Sequence, residues 1–390
     1  MTRKKICFCT TLGGTINAFL VDLSKYLVEH ENYDVTWISC DDEGLRAKTG
    51  DYIHFIPVNM KRGLALDGVK VIWQMYRIFK REKYDIVQYS TRNAGTYASI
   101  AAWMAGIKVR LYCQWGMMFI ALKGWKRTLL WADEKLIVNL STVVESESFS
   151  MYDTAIEHGI YTPEKASVIW NGSACGVDIS KYLLENKAAW RSEVRHELGI
   201  SDDARVFGYC GRITRDKGLN ELFAGFRKVV EDKSRKVDTY LMIIGRDDNA
   251  ETIAPELFAW AKSCPFVKFT GYTTNVQKYY SALDVFTSLS YREGFGLVVI
   301  EAAAMGVPGI VSDALGQRDT IEHMKTGYLV RTHNVDDVVE GMNFYIEHPE
   351  KCVEQGVAAR KVVEECYEQK ELLRRLAAHR NELINQNAEK

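Results

Sequence analysis

Short apolar runs rich in β-branched and aromatic residues recur along the chain. Between them the apolar positions fall at the three-to-four spacing of helices that face a core. The runs at 5–9, 34–38, 52–56, 85–89, 109–112 and 140–144 predict one series of strands. Those at 205–209, 239–244, 267–269, 284–289, 308–311 and 327–330 predict a second. Strand, helix and strand in repetition imply a parallel sheet wrapped by helices. Two series therefore predict two doubly wound, Rossmann-like parallel-sheet α/β domains, residues 1–180 and 181–364. Gly176-Val177-Asp178 ends the first series, and 181–199 reads as a helix stopped by Gly199. From about 357 to 384 the pattern is helical with no strand after it. Such a tail can end on its own domain or cross back, and the helix at 365–390 is expected to join the first.

Composition narrows the class. At 390 residues the chain exceeds one ordinary core, and 47% hydrophobic with 26% charged residues describes a soluble globular protein. A formal net charge of −1 argues against bulk electrostatic binding to nucleic acid. The 9 cysteines form no CxxC pair or Cys/His cluster, and Cys7, Cys9, Cys113 and Cys210 sit in or beside apolar runs. That usage predicts a reducing cytoplasm and no structural zinc. The opening MTRKKICFCTTLGG reads as a first strand rather than a signal peptide. No apolar stretch approaches the ~20 residues of a membrane-spanning helix.

Chemistry concentrates where strands hand over to helices. In SYREGFGLVVIEAAAMGVPGIVSD, Gly294 and Gly296 lie in a loop that opens a helix running from Leu297 to Met305. Ligands of open α/β sheets bind beyond the carboxyl ends of strands, where helix N-termini point N–H groups at anions. Glu293 precedes that helix and Glu301 lies within it, so one carboxylate can hold sugar hydroxyls and the other ribose hydroxyls. Glu301 adjoins Ala302, Ala303, Ala304 and Met305, a small apolar surface against which a carboxylate needs a partner. A second signal, Gly211-Arg212-Ile213-Thr214-Arg215-Asp216-Lys217-Gly218, follows the strand at 205–209 and offers a guanidinium fork and an ammonium to a diphosphate. A third, Thr10-Thr11-Leu12-Gly13-Gly14-Thr15, is a glycine-rich turn without the full GxGxxG pattern. A tight turn explains it as well as a phosphate loop does.

The pieces GRITRDKGLNEL, YLMIIG, FTGYTTNVQKYYSALDVFTSLSYREGFGLVVIEAAAMGVP and GQRDTIEHMKTGYLV resemble retaining glycosyltransferases of family 4, which have the GT-B architecture of two facing domains around a central cleft. The likeness extends to bacterial capsular and exopolysaccharide enzymes, which carry a Gly-x-Arg-Asp-Thr run like that at 316–320. By position the resemblance implies that Arg212 and Lys217 hold the diphosphate, with Gly211 beside them, and that Glu293 holds donor-sugar hydroxyls. Gly294, Phe295, Gly296 and Leu297 would meet phosphate or sugar through the backbone, and Glu301 would bind ribose. Gly13 and Gly14 would form the opposing loop. The implied reaction moves a sugar from a nucleotide diphosphate sugar, with a UDP-sugar the expected donor, to a glycan or polyprenyl-diphosphate-linked acceptor. No cofactor and no metal are expected, because basic groups and a helix N-terminus can stabilise the leaving diphosphate.

The sequence departs from that pattern in two places. Trp115 stands in Tyr112-Cys113-Gln114-Trp115-Gly116 where such enzymes often have a histidine, and either stacks on a sugar or is a packed aromatic. Cys175 replaces the asparagine of the Asn-Gly-Val-Asp boundary motif. Between Met60 and Lys83 stand seven basic and two acidic residues, with Val69, Ile72, Trp73, Tyr76 and Phe79 on one stripe. Trp115 to Trp131 adds a second aromatic stretch with Lys123, Lys126 and Arg127. Either these are ordinary surface helices or they touch an anionic membrane, which would put the enzyme in the cytoplasm on the inner face of the cell membrane. A nucleotide-sugar epimerase of the same fold and a non-catalytic subunit that activates a partner transferase are the competing readings.

Overall fold

The computed structural model describes residues 3–60, 68–234, 237–247 and 250–388. It divides into two compact units, Met1–Cys175 with Gln369–Lys390, and Gly176–Glu368.

In the first unit the strands are β1 (Lys4–Cys9), β2 (Tyr33–Ser39), β3 (Ile53–Pro57), β4 (Ile86–Ser90), β5 (Val109–Gln114), β6 (Val143–Ser146) and β7 (Ala166–Val168). They lie in the order β3-β2-β1-β4-β5-β6-β7, and every pairing is parallel. β1 is an interior strand, between β2 and β4, and is apolar on both faces, with Ile6, Cys7, Phe8 and Cys9 all buried. The chain winds outward from β1 to β3 and then returns to β4, which makes the β1/β4 junction the switch point of this sheet.

The second unit repeats the plan with β8 (Arg205–Cys210), β9 (Thr239–Ile244), β10 (Val267–Gly271), β11 (Val285–Ser288), β12 (Gly309–Ser312) and β13 (Gly327–Val330). Their order is β10-β9-β8-β11-β12-β13, again all parallel, so the switch point lies between β8 and β11.

Four expectations change. The strand expected from 140 begins at Val143, because Leu140 is the last residue of the helix Gly124–Leu140. β7 is additional; three residues are too few to carry a periodic pattern. The helix expected over 181–199 starts as two 3₁₀ turns, Ile179–Lys181 and Leu184–Asn186, and becomes α-helical only at Lys187–Glu197. The tail is two helices, Pro349–Cys366 and Gln369–Ala388, and the second belongs to the first unit. Its Leu372, Leu376, Ala377 and Leu383 enter the core around Ile6, Phe8 and Val35. Arg380, fully buried, sends Nη1 to Glu145 Oε1 (2.5 Å) and Nη2 to Glu145 Oε2 (2.7 Å), while Gln88 Oε1 accepts from Nη2 at 2.9 Å.

The basic helix Gly68–Glu82 also packs differently from the expected stripe. Val71, Met75, Ile78 and Phe79 turn inward, while Val69 and Trp73 face out at 75% and 52% exposure. A helix with apolar residues on two adjoining stripes leaves the choice of buried stripe to its neighbours, here the helix Arg92–Ala105. Lys61 and Arg62 lie outside the described residues. No helix among the described residues is long and apolar enough to cross a membrane.

Candidate active site

The second unit gathers its charge at its switch point. β8 delivers Gly211 to Lys217 on one side, and β11 delivers Ser290 to Gly296 on the other. Two glycines let the β11 loop touch the β8 loop on one side and the segment after β12 on the other. Gly218 has φ 74°, and a Cβ there would stand 2.1 Å from the Leu289 carbonyl oxygen. Gly316 has φ 79°, and its Cβ would meet the Gly294 carbonyl oxygen at 2.3 Å. Any side chain at either position would push the loops apart.

Lys217 and Glu293 are brought together directly: Lys217 Nζ donates to Glu293 Oε1 at 2.5 Å, and Ser290 Oγ donates to the same oxygen at 2.7 Å. The pair is neither closed nor free, with side chains 22% and 20% exposed. Arg212 lies on the same loop with its side chain 64% exposed, and among the described residues its ion-pair partner is Asp216, at 3.9 Å. Past Glu293, Gly294 leads to Phe295, whose ring is buried 5.3 Å from that of Tyr367, so Phe295 offers a ligand only backbone. Gly296, at φ 103°, caps the helix Leu297–Ala304, one residue shorter than the sequence suggests. The arrangement can accept a diphosphate between two cations and a helix N-terminus.

Glu301 is not a solvated helix residue. Tyr280 Oη donates to its Oε2 at 3.4 Å, and burial pushes its carboxyl up to about 7 against the hydrogen bonds of Tyr280 and Tyr182. Burial also drives the Cys210 thiol up to about 12, with the nearby Glu301 charge adding to the rise. Cys210 is the last residue of β8, so Glu301 lies toward the strand end that carries Gly211 and Arg212.

In the first unit, Gly13 and Gly14 open the helix Gly13–Phe19 beside the switch point. There Thr11 N donates to Thr91 Oγ1 at 3.1 Å, joining the ends of β1 and β4. The two glycines differ. A Cβ on Gly13 would fall 2.4 Å from Asp42 Oδ2, whereas Gly14 faces open space. Packing alone therefore accounts for Gly13, and Gly14 is the one with room for a ligand. Trp115 follows β5 and packs on Phe19, ring centroids 5.2 Å apart, as part of the core around β1. Its packing is shown; its surface is only partly covered.

Neutral residues behind the site escaped sequence reasoning. Gln317, wholly buried, binds Ser288 and Ser312, and Ser312 Oγ donates to the Ser290 carbonyl at 2.6 Å. Tyr291 Oη donates to Glu221 Oε2 at 2.7 Å, tying the loop to the helix Leu219–Glu231. The only signal for Gln317 was its place in the 316–320 run. In the first unit, Glu134 accepts from Tyr112 Oη (2.9 Å) and Gln114 Nε2 (2.6 Å), and burial raises it to about 7.

Residues 14–175 match the profile of Glycosyltransferase Family 4, and 191–362 match that of Glycosyl transferases group 1. The chain is 29% identical over 341 residues to the capsular polysaccharide biosynthesis glycosyltransferase CapM of Staphylococcus aureus, covering 87% of each. It is 24% identical to the UDP-Gal:alpha-D-GlcNAc-diphosphoundecaprenol alpha-1,3-galactosyltransferase of Escherichia coli, over 83% of this chain and 82% of that one. The fold is shared with Anabaena Alr3699/HepE, solved in complex with UDP and glucose, at a TM-score of 0.76 and 18% identity over 97% of this chain and 99% of that one. Those two profiles cover the two units one apiece, and the chain is a glycosyltransferase of the GT-B fold, a family 4 domain followed by a group 1 domain.

Proposed function

We propose that this chain is a retaining transferase that moves a sugar from a UDP-sugar to a polyprenyl-diphosphate-linked glycan during assembly of a bacterial surface polysaccharide. The observation that carries the reading is the half-open Lys217–Glu293 pair at the β8/β11 switch point, beside exposed Arg212 and the Gly294–Gly296 turn. Relatives named for capsular polysaccharide synthesis and for transfer from UDP-Gal to a diphosphoundecaprenol acceptor support it. Arg212 and Lys217 take the donor diphosphate with the backbone at the helix N-terminus, and Glu293 takes hydroxyls of the sugar. Glu301 binds the ribose. The bond from the anomeric carbon to the β-phosphate oxygen breaks as the acceptor oxygen bonds to that carbon on the same face. The acceptor's proton passes to the departing phosphate, whose growing charge the two cations stabilise. No metal is required in this scheme.

The enzyme is further proposed to work in the cytoplasm, peripherally on the inner face of the cell membrane. Trp73 is exposed near Lys70, Arg77, Lys80 and Arg81, and Trp125, 73% exposed, stands beside Lys123, Lys126 and Arg127. Exposed tryptophan among basic residues suits an anionic interface, at ~1 kcal/mol for each cation. Purified protein incubated with four UDP-sugars (glucose, galactose and their N-acetylamino forms) and short polyprenyl-diphosphate glycans should release UDP and extend one acceptor. Interconversion of the sugars without transfer would instead select the epimerase reading. Co-sedimentation with anionic vesicles at low salt, lost at high salt and weakened in Lys80→Glu/Arg81→Glu, tests the membrane; equal partitioning onto neutral vesicles would refute it.

A further inference from the structure

Behind Glu293 lies a set of hydrogen bonds, mostly buried, that the transfer chemistry does not itself use. Gln317 opens the 3₁₀ turn Gln317–Thr320 and has no solvent exposure. Its Oε1 accepts from Ser288 Oγ at 2.7 Å, and its Nε2 donates to the Ser288 carbonyl and to Ser312 Oγ, both at 2.8 Å. Ser312 Oγ spends its own proton on the Ser290 carbonyl at 2.6 Å, and Ser290 Oγ donates to Glu293 Oε1 at 2.7 Å. The amide of Gln317 fixes the direction of the Ser312 hydroxyl, which pins the Ser290 backbone, and the Ser290 side chain set by that backbone then reaches Glu293. The side chain reaches the other end of the loop as well: a Cβ on Gly296 would lie 3.2 Å from Gln317 Cγ. One buried side chain therefore lies against both ends of the loop, bracing Ser290 through its amide and meeting Gly296, where the helix starts, through its Cγ.

We infer that Gln317 is a positioning residue for the donor sugar, setting the Glu293 carboxylate through Ser312 and Ser290. This rests on the reading of Glu293 as the group that holds sugar hydroxyls. The diphosphate contacts come from Arg212, Lys217 and the helix N-terminus, none of which hydrogen-bonds to Gln317 in this chain of contacts. Losing the brace should therefore affect the sugar more than the nucleotide.

The test measures binding of UDP and of the UDP-sugar that the wild-type enzyme turns over fastest among the four above. Gln317→Leu removes the amide, Ser312→Ala cuts the link to Ser290 and one Gln317 Nε2 bond but spares both bonds to Ser288, and Ser312→Thr restores a hydroxyl. In the first two, UDP affinity should stay within about twofold while the extra affinity due to the sugar disappears and kcat falls by about tenfold or more, the scale of a small misplacement of reacting groups. Ser312→Thr should recover most of both. Equal weakening of UDP and UDP-sugar would mean that Gln317 merely supports the fold, and an unchanged sugar increment in Ser312→Ala would overturn the inference. If no UDP-sugar binds the wild type, the donor reading fails separately. In that case a crystal structure of Ser312→Ala decides, because a Glu293 carboxylate still bonded to Ser290 and Lys217 excludes the brace.

Discussion

Each unit joins a glutamate to a cation, and the two pairs are built for different ends. In the first, Glu145 meets Arg380 through both oxygens, with His379 Nδ1 2.6 Å from Oε1; Glu145 and Arg380 are buried, and His379 is partly exposed. Burial would raise the Glu145 carboxyl, yet the Arg380 charge and the bonds from His379 and Arg380 hold it down at about 2. In the second, Lys217 and Glu293 share one hydrogen bond at a loop surface, with Arg212 largely exposed beside them. A closed pair has nothing left to offer a ligand. The half-open pair has spare acceptor and donor capacity where a sugar diphosphate is expected to lie.

Breaking the closed pair should have the largest effect. Arg380→Met leaves a buried carboxylate without its guanidinium, bonded only to His379 and the Cys113 thiol among the described residues, and a loss of about 3–5 kcal/mol in unfolding free energy is expected from urea titration. A loss below about 1 kcal/mol would show that solvent reaches Glu145. Lys217→Ala and Arg212→Ala reverse the pattern. Turnover should fall on the order of 10²–10³, about 3–4 kcal/mol on the barrier, with a far smaller change in stability. Wild-type rates in both would mean that the diphosphate is held elsewhere.

Acidity sharpens the contrast more gently. Glu145 is lowered from its ordinary 4.5 to about 2, so its contribution is complete above pH 4.5 and is lost as pH falls toward 2, on the order of 3 kcal/mol. Glu301 and Glu134, raised by burial from 4.5 to about 7, act in the opposite sense. Their folded forms keep a proton that the unfolded chain releases, so stability should decline from pH 4.5 to 7. Glu301→Gln and Glu134→Gln should flatten that decline, and a decline unaltered in both would place its origin elsewhere. The smallest effect expected is none: turnover should survive EDTA. Loss of activity that magnesium or manganese restores would show that the cations of the half-open pair do not suffice.

Sequence reasoning saw strands where burial on both faces makes a run continuously apolar, as in Ile6 to Cys9, and missed β7, where three residues leave no pattern. It singled out Arg212, Lys217 and Glu293 as candidates because charged residues beside glycines at a strand's end are conspicuous. Gln317 and Ser312 stayed hidden, since neutral polar side chains become informative only when their partners are known. The stripe on Gly68–Glu82 was misassigned for a related reason: periodicity reveals that a helix has an apolar face, and only the neighbouring helix decides which face is covered.

The crossing of the last helix into the first unit has a consequence for how the molecule is made. Val177 N donates to the Tyr367 carbonyl at 2.9 Å and Gln369 Nε2 to the Cys175 carbonyl at 3.2 Å, so the outgoing and returning segments run side by side. The second unit is thus an uninterrupted insertion, complete in itself once its stretch of chain has left the ribosome. The first unit waits. Its earlier strands must persist with Leu372, Leu376 and Arg380 missing from their core until everything between has been translated. Throughout that interval Glu145 lacks the Arg380 guanidinium, and the nascent sheet keeps an open flank beside Leu23 and Leu27 where the final helix will dock.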